Sequence, residues 1–269
     1  MNDGKHKIKN RSAITSTPGA DSASVSDVAP VTKSAQRSSH SKENEVAAFI
    51  AKMNAITPVA KANGAGQSSG RLIFAMDATM SRQPAWDMAL SIQSDMFSAV
   101  QDIGGLDVQL LYFRGFKECR ASKWAANPAE LTKWMQKVQC LGGRTQIGKV
   151  LLHTRRETET QKVNALVFVG DAMEENIDDL CHRAGELSLL GVPAFLFLEG
   201  YDRHAETAFR EIARLTKGAF CRFDSGSADQ LRALLSAVAV FAAGGRRALE
   251  DFSRSTGGQG ARQLIEQMK

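Results

Sequence analysis

Three separated stretches of this chain each bring oxygen-bearing side chains to the end of an apolar run or a glycine loop. Leu72 to Met76 leads into Asp77-Ala78-Thr79-Met80-Ser81, which sets one carboxylate and two hydroxyls at alternate positions. Gly142-Gly143-Arg144-Thr145 offers a third hydroxyl, and Asp171 closes the apolar run Leu166 to Gly170. A set made of Asp77, Thr79, Ser81, Thr145 and Asp171 contains oxygen donors only. That suits a hard divalent cation, Mg²⁺ or Mn²⁺, which takes about six oxygen ligands and usually keeps some waters. Taken singly, each residue also has an ordinary task, capping the helix that follows it.

Other chemistry is written less completely. Gly143-Arg144-Thr145-Gln146-Ile147-Gly148-Lys149 matches the first seven positions of a phosphate-binding P-loop, and Leu166 to Asp171 imitates the apolar strand and Asp that often accompany one. A P-loop needs Ser or Thr after the Lys, where Val150 stands, and a buried strand before the glycines, where Lys137-Val138-Gln139-Cys140 is a poor candidate. This nucleotide-hydrolase reading is the enzymatic alternative. A second makes Asp77 a phosphoryl acceptor as in haloacid-dehalogenase-like phosphatases, but Thr79 stands where the second Asp belongs. His153, His182 and His204 fall in or at helical segments away from the strand ends, and no G-x-S-x-G elbow is present.

The elements that must carry the oxygen donors can be read from periodicity. From Arg71 onward short β-rich runs alternate with helix-length amphipathic segments, the pattern of an α/β fold. Strands are predicted at Leu72–Met76, Val108–Phe113, Phe116–Arg120, Ala165–Val169, Val192–Leu198 and Ala219–Phe223. Helices are predicted at about Pro84–Ile103, Pro128–Val138, Thr145–Thr158, Asn176–Leu190, Ala205–Thr216 and Ala228–Ala242. The second and third strands are too close for a crossover, so they should form a hairpin. The expectation is a doubly wound, mostly parallel six-stranded sheet with one antiparallel edge strand and helices on both faces. Ligands of such sheets bind beyond the carboxyl ends of the strands. The acidic run Glu174 to Asp179 reads as helix-dipole stabilisation at the start of the fourth of these helices, or as a rim of that site.

The 269 residues are 43% hydrophobic and 23% charged, which excludes a wholly disordered chain, and 34 basic against 29 acidic residues leave a mild +5 with no basic block. Nucleic acid is therefore not indicated. Residues 1–42 are polar, rich in Ser, Thr and Ala, and read as a disordered tail; 43–70 read as a short amphipathic helix and a Gly/Ser linker. Residues 71–243 form the expected globular domain and 244–269 a Gly-rich tail with a short amphipathic segment. No run is long enough to span a bilayer, and the N-terminal lysines are not followed by the apolar core of a signal peptide. Four scattered cysteines without a C-x-x-C pair read as free thiols of a cytoplasmic protein.

The chain from about Arg71 to Ala243 resembles a von Willebrand factor A domain with a metal-ion-dependent adhesion site. That family's motif is D-x-S-x-S after the first strand, a Thr in a Gly-Gly-Thr-like loop and an Asp after the fourth strand, each with a counterpart here in the same order. Thr79 replaces a Ser of the motif and Arg144 is inserted into the glycine loop. The resemblance implies a Rossmann-like fold and a non-enzymatic protein-interaction module. It further implies that Thr79, Ser81 and Thr145 are hydroxyl ligands or near ligands, with Asp77 and Asp171 acting mostly through hydrogen bonds and metal-bound waters. The partner would be a protein presenting Asp or Glu. An ATPase or chaperone-like partner rests on the resemblance alone, and a folded site that has lost its ion is the other outcome it allows.

Overall fold

The computed structural model describes residues 69–224 and 226–268. The expected N-terminal tail, and all but the last residues of the helix and linker assigned to 43–70, lie outside them. Six strands form one sheet: β1 (Gly70–Asp77), β2 (Leu106–Arg114), β3 (Glu118–Ala125), β4 (Ala165–Gly170), β5 (Ala194–Glu199) and β6 (Ala219–Phe223). Their spatial order is β3-β2-β1-β4-β5-β6. All neighbours are parallel except β2 and β3, which form the expected antiparallel edge pair. Winding runs outward from β1 in one direction and from β4 in the other, so the strand order reverses between β1 and β4.

Alternation within the strands explains why both faces must be covered. In β1, Leu72, Phe74 and Met76 enter one core while Ile73 and Ala75 enter the other, and all are fully buried. The first core is closed by α1 (Gln83–Ile92), α2 (Ser94–Ser98), α3 (Pro128–Met135), α7 (Ala228–Ser253) and α8 (Gln259–Ile265). The second is closed by α4 (Ile147–Thr160), α5 (Ile177–Leu189) and α6 (Arg203–Thr216). Phe168 of β4 sits at its centre, stacked on Phe113 and edge-on to Phe209, with ring centroids 6.0 and 5.4 Å away.

Four elements differ from the sequence expectation. The helix predicted over Pro84–Ile103 is interrupted at Gln93 and ends at Ser98; the buried Gln93 side chain donates to Thr132 Oγ1 at 2.6 Å, tying the break to the middle of α3. The strand predicted at Phe116–Arg120 begins at Glu118, because the chain needs Gly115, at φ 58°, and the next two residues to turn. Residues 145 and 146 precede α4 rather than forming its first turn. The helix predicted to end at Ala242 continues as α7 to Ser253 across a kink at Gly245, whose φ of 69° only glycine adopts freely. The tail then folds back: Ala261 and Leu264 are fully buried, and the Gln267 side chain accepts from the Phe220 N–H of the edge strand β6 at 3.0 Å. None of the described helices is long and apolar enough to cross a membrane.

Candidate metal site

Pairing of β1 with β4, Met76 opposite Val169, places Asp77 and Asp171 side by side at the carboxyl edge where the winding reverses. Asp77, only 1% exposed, folds its carboxylate onto the next turn and accepts the Thr79 N–H at 2.7 Å. The turn continues as a 3-10 segment, Met80–Arg82, which brings Ser81 back over the strand ends. Ser81 Oγ donates to Asp171 Oδ2 at 3.2 Å and lies 3.4 Å from Thr79 Oγ1. Thr145 arrives from the glycine loop, buried, its Oγ1 accepting the Glu174 N–H at 3.0 Å. All five oxygen-bearing residues line one cleft of about 260 Å³, together with Met80, Gly142, Gly143, Ala172 and Glu174.

Capping does not account for these side chains. Thr79 precedes the 3-10 segment without a side-chain cap bond. The N-terminus of α4 is satisfied by Glu175, which accepts the Ile147 and Gly148 N–H groups at 2.5 and 2.8 Å. The N-terminus of α5 is capped by Asn176, not Asp171. The hydroxyls of Thr79, Ser81 and Thr145 therefore face the cleft without capping a helix.

The Asp77 carboxyl sits in an environment that resists its charge. Burial pushes the Asp77 carboxyl up to about 6, against the Thr79 hydrogen bonds that favour the charged form, with Asp171 adding a smaller upward push and Arg82 a smaller downward one. Among the described residues no group of three or more His, Cys, Asp or Glu is placed to hold a metal, so any ion must rely on hydroxyls beside the two carboxylates. Neutral oxygens with the carboxylates of Asp77 and Asp171 fit a hard divalent ion, and the cleft lining holds no His or Cys.

Three residues escape the sequence reading: Arg82, Glu199 and Gln146. Arg82, adjacent to Ser81 and 2% exposed, binds Glu199 at the end of β5 and lies 3.8 Å from Asp171 Oδ2, while its Nε and second terminal nitrogen have no hydrogen-bond partner. Glu199 closes the apolar run Ala194–Leu198 just as Asp171 closes Leu166–Gly170, and that likeness was the available signal. The acidic run reads in the sequence as helix-dipole stabilisation or as a rim of the site; Glu174 lines the cleft, and it and Glu175 turn back to the loop before α4, where Thr145 N–H donates to Glu174 Oε2 at 3.3 Å. Gln146, buried, donates to the Arg114, Gly115 and Glu118 carbonyls and so fixes the β2–β3 turn to the Thr145 loop.

The P-loop likeness does not survive the structure. No strand precedes Gly143, the carboxylate of Glu175 occupies the helix N-terminus where a phosphate would sit, and Lys149 Nζ donates to the Lys117 carbonyl and Gln146 Oε1.

No family model matches this sequence, and no curated protein does. Among solved structures, a von Willebrand factor type A protein from Catenulispora acidiphila aligns over 63% of this chain and 42% of its own, with TM-score 0.53 and 16% identity. The chain has the von Willebrand factor A fold. Proximal thread matrix protein 1 from the mussel byssus aligns with TM-score 0.52 and 18% identity, over 66% of this chain and 49% of its own. Another structure of that protein, with a zinc-occupied metal-ion-dependent adhesion site motif, aligns with TM-score 0.52 and 17% identity, over 66% and 46%. This chain thus spans less than half the length of these A-fold neighbours.

Proposed function

We propose that the chain is a non-enzymatic protein-interaction module. Its cleft would hold Mg²⁺ or Mn²⁺ through Thr79, Ser81 and Thr145, with Asp77 and Asp171 behind them, and so capture an Asp or Glu of a partner protein. One observation carries the reading: five oxygen-bearing side chains from three distant stretches meet in one cleft at the sheet's switch point, while other residues cap the helices. A divalent ion faced by few anionic ligands stays electrophilic and gains strongly from an incoming carboxylate. The chain's part is to orient the hydroxyls: Asp77 holds the Thr79 turn, Asp171 holds Ser81, and the Glu174 main chain holds Thr145. The mussel protein described with zinc in the equivalent motif supports a divalent ion on this fold. Four unpaired cysteines agree with a reducing, cytoplasmic setting.

Isothermal titration of Mg²⁺ and Mn²⁺, with and without a Glu-containing peptide, tests the reading. Binding that disappears in Asp77→Ala and Thr145→Ala is expected. Absence of binding in the unmutated chain, with the peptide present, would sink the proposal and leave a folded remnant of a metal site.

A further inference from the structure

Resting on the cation reading of the cleft, we propose that the captured carboxylate belongs to an acidic segment whose neighbouring residues are bulky and apolar, seated on Met80, Leu141 and Phe116. Among the described residues five large apolar side chains are exposed: Met80 by 66%, Phe116 by 74%, Leu141 by 43%, Leu189 and Tyr201. Leu189 ends α5 at the opposite edge of the sheet, and the Tyr201 ring is engaged by the Arg222 guanidinium at 4.7 Å. The other three lie on loops that the main chain joins around the cleft. Leu141 N–H donates to the Ala78 carbonyl at 3.0 Å, which links the Met80 turn to the glycine loop. Arg144 N–H donates to the Gly115 carbonyl at 3.0 Å, which links the same loop to the turn bearing Phe116. The approach is so close that a Cβ at Gly143 would stand 2.1 Å from the Gly115 oxygen.

Charge decides what kind of segment fits. Lys117, Arg144 and Lys149 are exposed on this same side and meet no carboxylate within ion-pair distance among the described residues; Lys149 is bound only to uncharged oxygens. On the other wall Glu174 is also exposed, its Oε2 accepting the Thr145 N–H, so three cations face one carboxylate. An apolar trio beside three unpaired cations and a cation-binding cleft complements an acidic, apolar-flanked segment and opposes a basic one.

Selection from a random twelve-residue peptide library displayed on phage, on the full chain in Mg²⁺ with elution by EDTA, tests this. The expected pool is rich in Asp or Glu with Leu, Ile, Met or Phe within two positions. Repeating it on a Met80→Ser/Phe116→Ser chain, shown by titration to keep its Mg²⁺ binding, should preserve the acidic residue and erase the apolar preference. A recovered peptide should bind the unmutated chain about tenfold more tightly than its Ser-flanked version, the size expected from burying one large apolar side chain. An EDTA-eluted pool with acidic residues but indifferent or basic flanks overturns this inference and leaves carboxylate capture standing. A pool indifferent to EDTA, or none at all, overturns both.

Discussion

The Asp77 carboxyl is held where it would rather be neutral, and this gives the metal-free chain a measurable pH dependence. Its folded value of about 6 lies above the ordinary 3.8, so its stabilising contribution is complete below 3.8 and is lost as pH rises through about 6. The full difference amounts to about 3 kcal/mol. In EDTA, Asp77→Asn should therefore be more stable than the unmutated chain at pH 7, by roughly 1 to 3 kcal/mol. The two should converge near pH 4. Urea unfolding at both pH values reads this directly, and a variant less stable at pH 7 would contradict it. Added Mg²⁺ should stabilise only the unmutated chain. Of the cleft's lining, the five oxygen-bearing residues were legible because they follow an apolar run or a glycine loop; that they bind an ion is the proposal. Arg82 was not, since an Arg after a polar turn looks like any solvated Arg until β5 brings Glu199 beneath it.

Where strands deliver charge to a common edge, the ion pairs they form have consequences beyond the cleft. Arg82 and Glu199 are 2% and 11% exposed in their side chains, so removing one partner strands a buried charge. Arg82→Met should cost on the order of 3 to 5 kcal/mol, and a second change, Glu199→Gln, should recover most of it. Thermal unfolding of the single and double variants checks this; equal losses in both would show that the pair contributes through packing alone. Element types were readable wherever period and punctuation agreed, as in β6, whose bounds Ala219–Phe223 match expectation. They were less readable for β3. Its residues Glu118 to Trp124 are exposed or only partly buried, so no alternation marks the strand, and pairing with β2 alone defines it. The break at Gln93 likewise depends on Thr132, far away in sequence.

For the molecule as a whole, the sheet leaves β6 as an edge, and the tail covers it. Gln267 accepts the Phe220 N–H, Arg246 donates to the Met268 carbonyl at 2.7 Å, and Gly260 lies so close to α7 that a Cβ would stand 2.2 Å from the Ala233 oxygen. A chain ending at Gly258 should expose both the edge and the apolar patch under Leu264, and should unfold at lower temperature. It should also self-associate, which light scattering across a dilution series would show. A truncated chain that stays monomeric and equally stable would demonstrate that the tail is dispensable. That residues 244–269 would carry an amphipathic segment was visible in the spacing of Ala261, Leu264, Ile265 and Met268. Its seat was not, because the spacing names a sticky face without naming its counterpart.

The backbone contact between Gly143 and Gly115 has an evolutionary consequence. Because main-chain atoms, rather than side chains, clasp the glycine loop to the turn that displays Phe116, the displayed residues can change without disturbing the clasp. On the proposed function, exchanging Met80, Leu141 or Phe116 would change the partner, while Gly143 has no room for a Cβ and Gly115 holds φ 58°. On that same proposal, partner recognition and ion binding would be adjacent in space yet separable under selection.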